Sequence, residues 1–159
     1  MVEQLDSYDL SSLYALMDPL TFPRIKSGTG SRLGFPTYRG CVFGLVRPRK
    51  NSGTRVLSSY STKFPDVYEA LKKVGADLGF TFTSIQVNRN LQCPPHKDRK
   101  NVGDSMLISF GKYTGGEIVV NGVPYNAYHR PTIFNGSQWE HYNNAIEGDK
   151  FSIIFFTQP

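Results

Sequence analysis

Cysteine is scarce: only Cys41 and Cys93 occur in 159 residues, too few for a disulfide framework and not spaced as a zinc knuckle. Both read as reduced thiols. No stretch approaches the roughly 18 unbroken apolar residues of a membrane-crossing helix. The opening MVEQLDSYDL lacks the basic flank and apolar run of an export signal. The expectation is a protein of the cell interior, cytoplasmic or nuclear, neither secreted nor membrane-associated. Internal repeats and low-complexity segments are absent. Gly28-Thr29-Gly30 and Gly34 are not followed by the lysine and serine of a phosphate-binding loop, so they read as a flexible loop able to close over substrate. Acidic residues are outnumbered, 13 against 18 Lys and Arg, and the net charge of +5 favours acidic partners without identifying one.

What is present is the composition of a folded domain. The hydrophobic set is 39%, which excludes extensive disorder, and the length suits a single domain over 1–159. Aromatic residues make up 13%, which suits a β-rich core because flat rings pack well on pleated surfaces. Leu10, Leu13, Tyr14 and Met17 fall on one face of a short helix that Asp9 or Ser7 can cap and Pro19 ends. Val67, Ala70, Leu71, Val74 and Leu78 predict a second helix, opened by Pro65 and stopped by Gly79. Strands are expected at 38–46 and 54–60. From residue 81 the pattern turns to short β-prone runs at 81–87, 105–110, 117–120, 123–128, 132–134, 139–142 and 151–157. Asn121-Gly122 between two of them is a two-residue hairpin signal. Helices followed by many short strands predict an α+β, β-dominated domain of sandwich or barrel type.

Chemistry concentrates in Pro94-Pro95-His96-Lys97-Asp98. In an extended chain, residues i and i+2 project from one face, so His96 and Asp98 present an imidazole nitrogen and a carboxylate together. A His-x-Asp pair alone does not separate a metal site from a surface pair. His141, 43 residues after Asp98 in Trp139-Glu140-His141-Tyr142, supplies a third ligand. Two histidines and one carboxylate on one face of an octahedral ion leave three positions open, as in non-haem iron oxygenases. Alternation along 150–156 then puts Lys150 and Ser152 on one face, a clamp suited to a carboxylate.

These residues resemble the Fe(II)- and 2-oxoglutarate-dependent dioxygenases, whose double-stranded β-helix carries a His-x-Asp, a distal His, and an Arg or Lys for the cosubstrate. The resemblance covers 81–157. It includes Asn88 before His96-Lys97-Asp98, then 105–110, Gly115-Gly116-Glu117, and Pro131-Thr132-Ile133-Phe134-Asn135-Gly136 leading to His141. Lys150-Phe151-Ser152 stands where many members have Arg-x-Ser; lysine is used in the prolyl-hydroxylase-like branch. The resemblance implies a jelly-roll core at 81–159, with helical and substrate-covering elements at 1–80. It implies Fe(II) on His96, Asp98 and His141, 2-oxoglutarate on Lys150 and Ser152 with Asn88 beside it, and O2 as the oxidant.

For the substrate, Arg89, Lys97, Arg99 and Lys100 form one basic group and Arg47, Arg49, Lys50 and Arg55 a second. Both suit phosphates. His96-Lys97-Asp98-Arg99-Lys100 followed by Asp104-Ser105 is similar to the nucleobase-oxidising branch, the ten-eleven-translocation and J-binding-protein oxygenases. That similarity implies a base taken out of the stack, with Tyr38, Tyr60 or Tyr113 to stack on it. Trp139 is expected either in the pocket wall or in the core, and His129, just before a turn, is not expected to be a ligand. A protein hydroxylase of the prolyl type, a zinc cupin-like hydrolase and a silent nucleic-acid-binding module are the competing readings.

Overall fold

The computed structural model describes residues 1–24, 38–47 and 53–159. Gly28, Gly30, Gly34, Arg49 and Lys50 therefore lie outside the described residues. The elements run in the order β1 (Glu3–Gln4), α1 (Ser11–Met17), β2 (Arg39–Val46), β3 (Val56–Leu57), α2 (Ser59–Lys63), α3 (Pro65–Asp77), β4 (Ser84–Arg89), β5 (Ser105–Gly115), β6 (Ile118–Val120), β7 (Val123–Tyr125), β8 (Thr132–Phe134), β9 (His141–Asn143) and β10 (Ile146–Phe156). Seven strands make a major antiparallel sheet in the order β1-β8-β5-β10-β4-β2-β3, and three make a minor sheet, β7-β6-β9. This is the α+β jelly roll expected from the sequence, with β1, β2 and β3 of the N-terminal half built into the major sheet.

Alternation divides the major sheet into two faces. Ile85 and Val87 of β4, Met106, Ile108 and Phe110 of β5, and Phe151, Ile153 and Phe155 of β10 point to one side. There they bury against Leu10 at the start of α1, Leu13 and Met17 within it, and Val67, Leu71 and Val74 of α3. Both helical stripes are thus packing faces, and at roughly 1.5–3 kcal/mol for each buried large apolar side chain they hold the sheet from behind. Gln86, Asn88, Leu107, Ser109, Ser152 and Ile154 alternate with these residues and face the minor sheet.

The N-cap of α1 is Leu10, with no side-chain capping bond, rather than Asp9 or Ser7; the Asp9 carboxylate, one residue earlier, accepts from the Ser11 N–H at 2.9 Å and from the Ser11 hydroxyl at 2.6 Å. Asn121 (φ 49°) and Gly122 (φ 80°) both take the positive φ that the β6–β7 hairpin requires. The strand expected at 54–60 is shorter, because Ser58 accepts from the Ser61 N–H and starts α2. β5 and β10 are longer than the apolar runs suggest. Their ladder continues through Gly111↔Lys150 and Tyr113↔Gly148, where a Cβ on Gly111 or Gly148 would strike the opposite backbone. No helix among the described residues is long and apolar enough to cross a membrane.

Candidate metal centre and its cavity

The β9 backbone brings the distant ligands together. His96 and His141 exchange both backbone hydrogen bonds, at 3.0 and 2.9 Å, and the Asp98 N–H donates to the Gly136 carbonyl at 2.8 Å. These three bonds dock 96–98 against β9 and the turn before it, so all three side chains meet. Asp98 Oδ2 lies 3.0 Å from His141 Nε2, Asp98 Oδ1 lies 3.7 Å from His96 Nε2, and one ligand atom from each residue falls within 4.8 Å of the others.

The ring nitrogens that face away decide the protonation pattern. His96 Nδ1 is 2.8 Å from the Pro94 carbonyl and His141 Nδ1 is 2.9 Å from the Trp139 carbonyl. A carbonyl oxygen only accepts, so each Nδ1 carries a proton, and the neutral ring presents its Nε2 lone pair inward. Two such lone pairs and a carboxylate converging on one point form a donor set for a divalent cation, with the outer hydrogen bonds that orient ligating histidines. Burial pushes Asp98 up, but the hydrogen bond and charge of His141 outweigh it and hold its carboxyl below the ordinary value. Burial likewise pushes His141 down, and its bond to Asp98 outweighs that and raises it.

A glycine makes room for this cluster. A Cβ on Gly136 would lie 3.1 Å from His141 Cε1 and 3.3 Å from Asp98 Oδ2, so a side chain there moves two ligands at once. Gly136→Ala is expected to weaken divalent-metal affinity by about 10- to 100-fold, the range seen when the support of a metal ligand is lost. Its melting temperature should stay close to the parent's. Metal titration followed by calorimetry checks the first expectation and circular dichroism the second.

The triad opens into a cavity of about 450 Å³ between the two sheets. At one end Lys150 is buried, 5% exposed, and its Nζ donates to the Gly116 carbonyl at 2.7 Å. Among the described residues no carboxylate comes within ion-pair distance of it. Burial pushes its ammonium down to about 8, with Cys93 and Glu117 opposing more weakly. Asn88, Ser152 and Ser109 stand in register across β4, β10 and β5, and the Ser109 and Ser152 hydroxyls are 3.3 Å apart. At the other end Ile154, Phe156, Leu107, Asn101 and Gln158 form the walls.

Of the residues singled out in the sequence, His96, Asp98, His141, Lys150, Ser152 and Asn88 line this one cavity. Other expected residues do not line it. Arg89, expected at the substrate, points to the opposite face of β4. Its guanidinium binds Asp149 at 2.9 and 2.7 Å and Asp18 at 2.8 Å, and lies 4.5 Å from the Phe151 ring centroid, so it is a structural cation. Lys97, Arg99 and Lys100 are exposed and do not line the cavity. Arg47 is exposed beside the C-terminal carbonyl. Tyr38 is 2% exposed, Tyr60 packs on the main core and the Tyr113 ring covers Lys150 at 5.7 Å, so none of the three offers a stacking face to a base. Trp139 precedes β9 and packs with Ile118, Val120 and Phe134. His129 accepts from the Leu10 N–H at 2.8 Å and is no ligand.

Four contributors escaped the sequence. Ser109 was legible as the next inward position after Ser105 and Leu107. Gly136 was quoted only as part of a motif, and Gly116 contributes a carbonyl, which no residue type advertises. Cys93 read as an inert thiol, yet it lines the cavity and burial pushes it up to about 11, so it stays protonated and acts as wall.

No protein-family model and no curated protein matches the sequence. Solved structures do match. NgTET1 in complex with 5mC DNA aligns with a TM-score of 0.65 over 99% of this chain and 72% of that one, at 10% identity. An oxidoreductase of the 2OG-Fe(II) oxygenase family from Burkholderia pseudomallei aligns at 0.61 over 98% and 84%, with 17% identity. The chain has the fold of the 2OG-Fe(II) oxygenases. A prolyl-4-hydroxylase from Pseudomonas putida shares this fold at a TM-score of 0.52, over 99% of this chain and 92% of that one, with 9% identity. In this oxygenase fold the His96-Asp98-His141 cluster occupies the space between the sheets, beside the buried ammonium.

Proposed function

We propose that this protein is an Fe(II)- and 2-oxoglutarate-dependent oxygenase that hydroxylates a C–H bond, with a nucleobase methyl group in nucleic acid as its substrate. The observation that carries the reading is the unpaired buried ammonium of Lys150 sharing one cavity with three converging metal ligands. A metal hydrolase needs the ligands but has no use for that cation, which costs stability unless an anion joins it.

His96, Asp98 and His141 would hold the metal, and their Nδ1–carbonyl bonds keep both rings in the ligating tautomer. When bound, Fe(II) with 2-oxoglutarate and O2 supplies the oxidation that places one oxygen atom in the substrate and the other in succinate, with release of CO2. Lys150 binds the far carboxylate of the cosubstrate by charge and hydrogen bond, with the Ser152 hydroxyl and the Asn88 carboxamide beside it. Tyr113 covers the ammonium from outside and keeps water from it. Leu107, Ile154 and Phe156 give the opposite end apolar walls, while the Asn101 and Gln158 carboxamides can bond the edge of a planar base.

The likeness to NgTET1 in its complex with 5mC DNA and the net charge of +5 support nucleic acid. The prolyl-4-hydroxylase likeness and the lysine anchor support a peptide as the second reading. Incubation with methylated DNA, methylated RNA and a proline-containing peptide pool separates them by mass. The proposal expects a gain of one oxygen on the nucleic acid, dependent on Fe(II) and 2-oxoglutarate; a gain confined to the peptides would contradict it.

A further inference from the structure

Outside the metal centre, one arginine lacks what a buried charge requires. Arg55 Nη1 and Nη2 are both buried, and neither has a hydrogen-bond partner among the described residues. A guanidinium carries five donors and keeps its charge, so two orphaned nitrogens mark a place built for an acceptor. Its position sharpens the point. β2 and β3 pair through Leu45↔Leu57 and Val46↔Val56, and one further step of that register sets Arg47 opposite Arg55. Like charges directly opposite on paired strands repel each other, and an anion held between them removes both the repulsion and the unmet donors.

Arg47 also reaches towards the cavity. Arg47 Nη2 donates to the Pro159 carbonyl at 3.4 Å, and the preceding residue, Gln158, lines the cavity at the end away from Lys150. We propose that Arg47 and Arg55 form an oxyanion clamp at the rim of the substrate end, and that its ligand is a phosphodiester of a nucleic-acid substrate. This rests on the nucleic-acid reading above and extends it to the backbone. Forked guanidinium groups match the paired oxygens of a phosphate. The exposed Lys97, Arg99 and Lys100 after the first ligands add charge that a polyanion, unlike a lone carboxylate, would also use. Phosphate contacts of this kind fix the register of the strand rather than its sequence.

The test uses the metal-free protein and a short fluorescein-labelled DNA, with anisotropy followed across a salt series. Arg55→Met is expected to weaken binding about tenfold and to lower the slope of log affinity against log salt by about one, as for loss of one phosphate contact. Arg47→Met should do the same, and Arg55→Lys should keep part of the affinity. In phosphate-free buffer Arg55→Met should melt above the parent, because the variant removes an unpaired buried charge. Unchanged affinity and slope in Arg55→Met would overturn the clamp. If inorganic phosphate protects the parent but not Arg55→Met against melting, while DNA binding is the same in both, the site serves a free phosphate and the nucleic-acid assignment falls. The oxygenase reading is judged separately, from Fe(II) and 2-oxoglutarate binding by the unmutated protein.

Discussion

His96→Ala is expected to reduce 2-oxoglutarate-dependent succinate formation to background. The loss should be well beyond the roughly 10- to 100-fold that follows removal of a mere supporting partner of a metal ligand. The fold should survive. The His96 side chain is 30% exposed and its one internal side-chain bond, to the Pro94 carbonyl, is worth about 1 kcal/mol. The backbone bonds between residues 96 and 141 do not depend on the side chain. Succinate release and the melting curve, measured on the same preparation, check both parts. A folded His96→Ala protein that still forms succinate at the parent rate would remove His96 from the metal.

Lys150→Met carries the second large effect, and it has opposite signs for binding and for stability. Truncating one partner of a buried charge pair costs about 2–5 kcal/mol in binding, so 2-oxoglutarate should bind the variant weaker by about 30-fold or more, read by isothermal titration of the metal-loaded protein. Without cosubstrate the variant should be more stable than the parent, because the ammonium has been buried without a counter-charge. The pH dependence follows from the shift of Lys150 from 10.5 to about 8. Below pH 8 the lysine is charged in both folded and unfolded chains, and the folded state bears the whole cost. Between 8 and 10.5 the unfolded chain keeps a proton that the folded chain has released, so stability rises with pH. Above 10.5 the cost is gone. At about 1.4 kcal/mol per pH unit the rise amounts to about 3 kcal/mol, and urea melts of Lys150→Met should lack it. Cosubstrate binding above pH 8 should take up a proton and weaken about tenfold for each further pH unit.

The parts of this protein that could be read from its sequence are those where side-chain alternation or spacing does the work. The stripe on α3, the inward positions of β10 and the positive-φ turn at Asn121-Gly122 all follow from local patterns. The triad was legible because a His-x-Asp, a distal histidine and a lysine-serine pair recur in one order. What could not be read depends on contacts between strands remote in sequence. Arg89 looked like a pocket cation because it stands near the ligands in the chain. Its neighbour Asn88 faces the cavity, and the pleat turns Arg89 towards Asp149 and Asp18. Tyr38 and Tyr113 looked available to a base, yet one is buried and the other covers Lys150. The extension of β5 and β10 past their apolar runs depends on Gly111 and Gly148, each opposite a larger residue, and an isolated glycine in the sequence signals a turn as readily as a close strand crossing.

We propose that three ligands and a buried lysine hold one ferrous ion and one keto acid side by side. Anaerobic addition of Fe(II) and then 2-oxoglutarate, followed in the visible spectrum, tests it most directly. A metal-to-ligand charge-transfer band should grow to one equivalent only when both are present, and should be absent from His141→Ala. No band at saturating Fe(II) and 2-oxoglutarate would contradict the account.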